Sequence, residues 1–84
     1  MYTVTYDDES RQQLDALPPG ALAPFAELRT MLEVAPWSGA PYNKLKPDSP
    51  MRGQPFGPNH EGFAVYLIVE DLRRVDLVTV VWIS

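Results

Sequence analysis

The sequence predicts an α+β domain in which one strand and two helices precede an antiparallel meander of three strands. Residues 2–6 alternate Tyr or Val with Thr at a period of two, and residues 25–35 carry apolar side chains at three- and four-residue steps. Residues 63–83 hold two apolar runs separated by a charged turn. The predicted order is β-α-α-β-β-β, with a helical hairpin packed on one face of a mainly antiparallel four-stranded sheet.

In the first half, the helix boundaries are marked by capping residues and prolines. Asp7 or Asp8 is the predicted N-cap of a short helix that ends near Leu17, because "LPPG" follows. The second helix is predicted to begin between Pro18 and Ala23. Its expected buried stripe consists of Phe25, Leu28, Leu32 and Ala35.

In the second half, a loop precedes the three strands. Residues 35–50 contain four prolines and one glycine, which predicts a surface loop that Trp37 and Tyr42 hold to the body. Residues 51–56 form the second predicted strand. Residues 63–70 are nearly all apolar and predict a central strand covered on both faces. The last strand, residues 75–83, is expected to place one set of side chains on a single face: Val75, Leu77, Thr79, Val81 and Ile83.

Composition indicates a single domain spanning residues 1–84. Hydrophobic residues make up 45% and charged residues 21%, which is ordinary for a globular chain. There is no cysteine and one histidine, so neither a metal site nor a cofactor is expected. The first residues lack the basic start and apolar run of a signal peptide, and a cytoplasmic location without membrane association is expected.

Four stretches share a pattern with a known family: "YTVTYDDES", "APWSGAPYNKLK", "MRGQPFG" and "GFAVYLIVEDLRRVDLVTVVWI". With Gly62, Phe63 and Tyr66 in the third-strand pattern, they resemble the RelE/ParE superfamily, the small toxins of bacterial type II toxin–antitoxin pairs. The resemblance implies the RelE/ParE-like fold and a cognate antitoxin as partner. It also implies one of two activities. RelE-like members cleave mRNA in the ribosomal A site with the RNA 2'-hydroxyl as nucleophile, and ParE-like members poison DNA gyrase.

The family's functional positions are only partly filled in this sequence. By resemblance, Lys44 and Lys46 match the basic loop, and Arg52 matches a strand residue that faces phosphate. The next basic position falls near the neutral Gln54, and the third-strand arginine falls at or beside Ala64. The sequence ends before the family's last basic and tyrosine or histidine groups, so the resemblance implies a divergent member with a shortened C-terminus and a degenerate active site.

The predicted site follows from these matches and from the remaining basic residues. The predicted catalytic residues are Arg52, His60 and Arg73, and the predicted RNA-binding residues are Lys44, Lys46, Arg52 and Arg74.

Each of these residues also has a structural interpretation. His60 and Glu61 form either an acid/base pair or the polar tip of a hairpin. Arg52 binds phosphate or pairs with an acid such as Glu70 or Asp71. Arg73 and Arg74 contact phosphate or neutralise the same two acids. Lys44 and Lys46 contact RNA or form a solvated surface, and Trp82 packs on the sheet or meets a partner.

Net charge separates the two functional hypotheses. The chain carries −4, all of it in residues 1–35, where six acids face two arginines, while residues 36–84 hold five charges of each sign. The first hypothesis is a RelE-like toxin, a ribosome-dependent mRNA endonuclease that contacts RNA through the second half. The alternative is a noncatalytic ParE-like or interaction domain acting through contact with gyrase or an antitoxin. A homodimer formed through open sheet edges is a further possibility.

Overall fold

The computed structural model describes residues 1–83, which form one five-stranded sheet with two helices. The elements are β1 (Thr3–Tyr6), α1 (Asp8–Asp15), α2 (Pro19–Val34), β2 (Ala40–Pro41), β3 (Met51–Phe56), β4 (Gly62–Val69) and β5 (Arg74–Trp82). The strand order is β1-β5-β4-β3-β2, with β1 parallel to β5 and the other neighbours antiparallel. The predicted α+β class and element order are confirmed, and the two-residue β2 adds a fifth strand inside the proline-rich loop.

A capping box marks the start of α1, and a proline in the first turn marks the start of α2. The Asp7 carboxylate accepts the Ser10 N–H at 2.7 Å, and the Ser10 hydroxyl accepts the Asp7 N–H at 3.0 Å, which forms a reciprocal capping box. These bonds hold the pKa of Asp7 below its usual value. α2 begins at Pro19, inside the predicted interval, and continues through Pro24. Within residues 1–83, neither helix is long and apolar enough to cross a bilayer.

The core lies between the helices and one face of the sheet. α2 buries Leu28 and Leu32 against sheet residues that include Tyr66 and Leu77. β4 is central, as predicted, but coverage on both of its faces is wrong, because Phe63 remains 40% exposed on the side away from the helices. The described chain supplies a single helical layer, so the second face of the sheet stays open.

A β-bulge changes which side chains of β5 are buried. Val65 pairs with Thr79 while Tyr66 pairs with Leu77, so Val78 is an extra residue on β5. An extra residue reverses the alternation of faces beyond it. Val80 is accordingly buried and Val81 is 42% exposed. The prediction that Val75, Leu77, Thr79, Val81 and Ile83 share one face is therefore wrong beyond Leu77.

α1 protects the edge of β5 that β1 leaves free. The pairing of β1 ends at Tyr6 opposite Leu77, and beyond that point α1 packs along β5. The Gln13 side-chain oxygen accepts the Val80 N–H at 2.7 Å. One glutamine thus satisfies an edge donor that would otherwise be available to another strand.

We expect Gln13→Ala to lower the free energy of unfolding by about 1 to 2 kcal/mol, because the part-buried Val80 N–H loses its acceptor. The control is Gln12→Ala on the exposed side of the same helix. Urea unfolding of both variants measures the effect, and equal stabilities of the two would contradict the role of Gln13.

Candidate functional site

The face of the sheet away from the helices is not covered by other elements of the described residues, and we call it the open face. Phe63 pairs with Val81 and Leu67 pairs with Asp76, and residues directly opposite each other lie on one face. The open face carries Met51, Phe63, Val65, Leu67, Val69, Arg74, Asp76 and Val81. Its centre is apolar. Its charged side chains, Arg74 and Asp76, lie on the part of β5 that pairs with β1.

The charged side chains of β5 on this face neutralise each other. Arg74 contacts the Asp76 carboxylate through Nε at 2.7 Å and Nη2 at 3.1 Å, and the Thr5 hydroxyl donates to the same carboxylate at 2.6 Å. The bond from Arg74 holds the pKa of Asp76 below its usual value. These groups line an open cavity of about 450 Å³, where Leu67 and Asp7 form further parts of the wall. Arg74 therefore pairs with Asp76 and not with Glu70 or Asp71.

Arg52 is buried, with 8% of its surface exposed, and holds the proline-rich loop. Its guanidinium donates to three carbonyl oxygens, those of Ser49 at 3.1 Å, Gly39 at 2.9 Å and Pro47 at 2.9 Å. It also lies 4.9 Å from the centre of the Trp37 ring. A loop rich in proline has more acceptors than donors, and the arginine fork supplies the missing donors.

These contacts exclude one of the two roles predicted for Arg52, namely pairing with an acidic side chain. Pairing with Glu70 or Asp71 is wrong, because its donors go to loop carbonyls instead. Phosphate binding and catalysis by Arg52 stay predictions, and they would require these bonds to open.

Glu70 is the centre of a cluster that joins β1, the loop and the turn after β4. Its Oε1 accepts the Tyr2 hydroxyl at 2.6 Å and the Trp37 indole N–H at 2.8 Å, and its Oε2 contacts Arg73 Nη1 at 2.7 Å. These three donors lower the pKa of Glu70 to about 2. Arg73 also lies over the Tyr2 ring at 4.6 Å. Arg73 thus compensates the charge of Glu70, and Trp37 ties the loop to the body as predicted.

We expect the stabilising effect of Glu70 to depend on pH. Because its pKa falls from 4.5 to about 2 on folding, the ionised group stabilises the fold above about pH 4.5 and loses this effect as pH falls toward 2. The melting temperature of Glu70→Gln should therefore lie below that of the wild type at neutral pH and approach it near pH 2. Thermal melts between pH 7 and about pH 2 test whether this difference in melting temperature shrinks on acidification. The control is Asp71→Asn on the same turn. A gap that widens on acidification would contradict the assignment.

The remaining predicted site residues lie at opposite ends of β3. Lys44 and Lys46 precede this strand, and His60 follows it. Lys44 and Lys46 are exposed in the loop before β3, beside Tyr42 and Leu45, which are 63% and 90% exposed. Tyr42 therefore does not pin the loop with its side chain, and that prediction is wrong. Its backbone N–H donates to Met51 O at 2.9 Å.

His60 lies at the tip of the β3–β4 hairpin with a φ of 56°. Glu61 accepts the Asn59 N–H at 2.8 Å, which holds its pKa below the usual value, so its carboxylate shapes the turn. The eight residues of β4 separate His60 from Arg73 by roughly 25 Å, so the structure does not bring these two predicted catalytic residues together.

Two further aromatic side chains, Trp82 and Tyr66, have defined contacts in the structure. The Trp82 ring lies 5.7 Å from the Phe56 ring and packs against the core, which confirms the packing interpretation. Tyr66 is fully buried and donates its hydroxyl to Pro36 O at 2.6 Å, and burial raises its pKa to about 12. Residues 1–83 contain no group of three His, Cys, Asp or Glu side chains placed to hold a metal ion.

Solved structures of two other proteins share this fold. The isolated E. coli RelE toxin matches with a TM-score of 0.81 and 9% identity, over 100% of this chain and 86% of that one. A chain of the toxin–antitoxin complex RelBE2 from Mycobacterium tuberculosis matches with a TM-score of 0.78 and 24% identity, over 96% of both chains. No protein-family model and no curated protein sequence matches this chain. On these structural matches, the chain has the fold of the RelE toxins.

Proposed function

We propose that this chain is the toxin of a bacterial toxin–antitoxin pair and binds a cognate antitoxin in the cytoplasm. The observation that carries the proposal is the match of the whole chain to an isolated RelE toxin. A second match, to a chain of a toxin–antitoxin complex, supports a protein partner. The fold alone leaves the mode of action open, so we argue that from the site.

The site favours action through protein contact. Arg52 is engaged with loop carbonyls, Arg73 with Glu70 and Arg74 with Asp76, so three of the five predicted basic residues already have partners. The open face is mostly apolar, which suits a protein surface better than an RNA backbone. DNA gyrase is the protein target that the ParE-like resemblance implies.

The second candidate is ribosome-dependent mRNA cleavage with a degenerate site. It is favoured by the exposed segment that carries Lys44 and Lys46, where Tyr42 provides a surface for base stacking. Arg52, His60, Arg73 and Arg74 complete the predicted site. Cleavage would require a group near the scissile phosphate to take the proton of the RNA 2'-hydroxyl.

The test is expression in a bacterium, alone and together with any short reading frame that lies next to the gene of this chain. A toxin should arrest growth, and its antitoxin should restore growth and co-elute with it on gel filtration. Unchanged growth at high expression, with no co-eluting partner, would overturn the proposal.

Two further measurements separate the modes of action. Protein contact predicts that purified chain inhibits DNA supercoiling by gyrase and leaves mRNA on translating ribosomes intact. Cleavage predicts new mRNA 5' ends on ribosomes that disappear in the double variant Lys44→Glu/Lys46→Glu. In the protein-contact mode this variant should still arrest growth.

A further inference from the structure

We infer that the turn before β3 is a second contact surface of this chain, and that Leu45 at its tip enters an apolar pocket on the target protein whose rim carries carboxylates. We call residues 42–46 the loop tip. The inference rests on the proposed function in its protein-contact mode and specifies the chemistry of the surface that is bound.

The loop tip presents two large apolar side chains that the fold does not bury. Leu45 is 90% exposed and Tyr42 is 63% exposed. Within residues 1–83, no other large hydrophobic side chain is more exposed than Leu45. A lone exposed leucine is ordinary on a protein surface, but a leucine and a tyrosine exposed on one short turn together offer apolar area to a partner.

Hydrogen bonds hold the backbone of the loop tip in one conformation. The Leu45 N–H donates to Asn43 Oδ1 at 2.9 Å, and the Lys46 N–H donates to Asn43 O at 2.9 Å, which closes a β-turn. Directly after the turn, Arg52 Nη2 donates to Pro47 O at 2.9 Å. The turn is therefore ordered before it meets a partner, which lowers the entropic cost of binding.

Two lysines flank Leu45 and set the charge of the partner. Lys44 and Lys46 are exposed, and none of the salt bridges within residues 1–83 involves either of them. Asp48 is the nearest acid along the chain, so residues 42–48 carry a net charge of +1. The tip thus has an apolar centre between two cations. An apolar pocket with carboxylates on its rim is the surface that complements it.

The same arrangement disfavours RNA as the ligand of the tip. Leu45 lies between the two lysines in the sequence, so an RNA backbone that reached both would have to pass the leucine. Leucine has neither an aromatic face for base stacking nor a polar group for a base edge. A protein pocket gains from burying the leucine, whereas RNA phosphates gain only from the lysines. Substitutions of Leu45 and of the lysines therefore distinguish the two ligands.

The test measures the concentration of purified chain that half-inhibits DNA supercoiling by gyrase, the protein target of the proposed function. The variants are Leu45→Ser and Leu45→Met, of which the second keeps an apolar side chain of similar volume. The matched control is Leu22→Ser, the same change at a leucine that is 57% exposed on α2. Circular dichroism checks that each variant remains folded.

We expect Leu45→Ser to require about tenfold more protein than the wild type, and Leu45→Met and Leu22→Ser to inhibit as the wild type does. The double variant Lys44→Glu/Lys46→Glu should require only roughly threefold more, because rim charges act mainly on the association rate, and added salt should remove this difference. A change of that size leaves growth arrest at high expression in place.

The outcomes separate the inference from the proposed function. Equal inhibition by Leu45→Ser and the wild type would overturn the inference and leave the proposed function standing. Binding of single-stranded RNA that Lys44→Glu/Lys46→Glu abolishes and Leu45→Ser leaves intact would also overturn the inference. Absence of inhibition by the wild type would overturn both the inference and the action on gyrase. The toxin–antitoxin assignment itself falls only if growth arrest and antitoxin binding both fail.

Discussion

Arg52→Ala should lower the free energy of unfolding by about 3 to 5 kcal/mol, the largest effect we expect from one substitution. The change removes three charge-assisted bonds and leaves the carbonyls of Gly39, Pro47 and Ser49 without this donor. It also uncovers the face of Trp37 on which the guanidinium lies. Urea unfolding followed by tryptophan fluorescence measures the loss.

Two arginine variants calibrate this result. Arg52→Lys keeps the charge, but one ammonium does not reproduce a fork that reaches three carbonyls, so we expect a loss of roughly 2 kcal/mol. Arg74→Ala removes an arginine from the part-exposed pair with Asp76, where the expected loss is about 1 kcal/mol or less. If Arg52→Ala lost no more stability than Arg74→Ala, Arg52 would not be the residue that holds the loop.

Gly39→Ala should lower the free energy of unfolding by about 3 kcal/mol through a steric clash. A Cβ at Gly39 would lie 2.0 Å from the Tyr66 hydroxyl oxygen. Tyr66 has little room to move, since it is fully buried and bonded to Pro36 O. Gly39 has φ −69° and ψ 162°, a conformation open to any residue, so backbone strain makes no contribution.

A double-mutant cycle separates this clash from a general loss of packing. Tyr66→Phe alone should cost about 1 kcal/mol, because the hydrogen bond to Pro36 O is lost. In the Gly39→Ala background the same change removes the clashing oxygen and should raise stability. The two effects of Tyr66→Phe therefore have opposite signs, and additive losses would contradict the geometry.

The features that the sequence predicts correctly depend on neighbouring residues. The N-cap at Asp7 requires only Ser10 three residues later, and the start of α2 requires only Pro19 in its first turn. The two apolar runs of the meander likewise predict β4 and β5 from their own composition. Such signals lie within one turn or one strand, so they do not depend on how the rest of the chain folds.

The features that the sequence misses depend on pairing between distant segments. The bulge at Val78 is set by the partner strand, and a period of two along β5 gives no sign of it. The carbonyls that Arg52 binds are brought together only by the path of the proline-rich loop. Tyr2 and Glu70 are 68 positions apart and meet because Thr3 pairs with Arg74. The sequence does not give the register of the parallel pair β1 and β5, so it does not predict this contact.

The most direct test of the account is methyl NMR of the folded chain during titration with the protein from the adjacent reading frame. We predict that the methyl signals of Val65, Leu67 and Val81 on the open face shift or broaden on binding. Those of Leu22 and Val34, exposed on α2, should stay in place. Shifts confined to the α2 methyls, with those of the open face unchanged, would contradict the account.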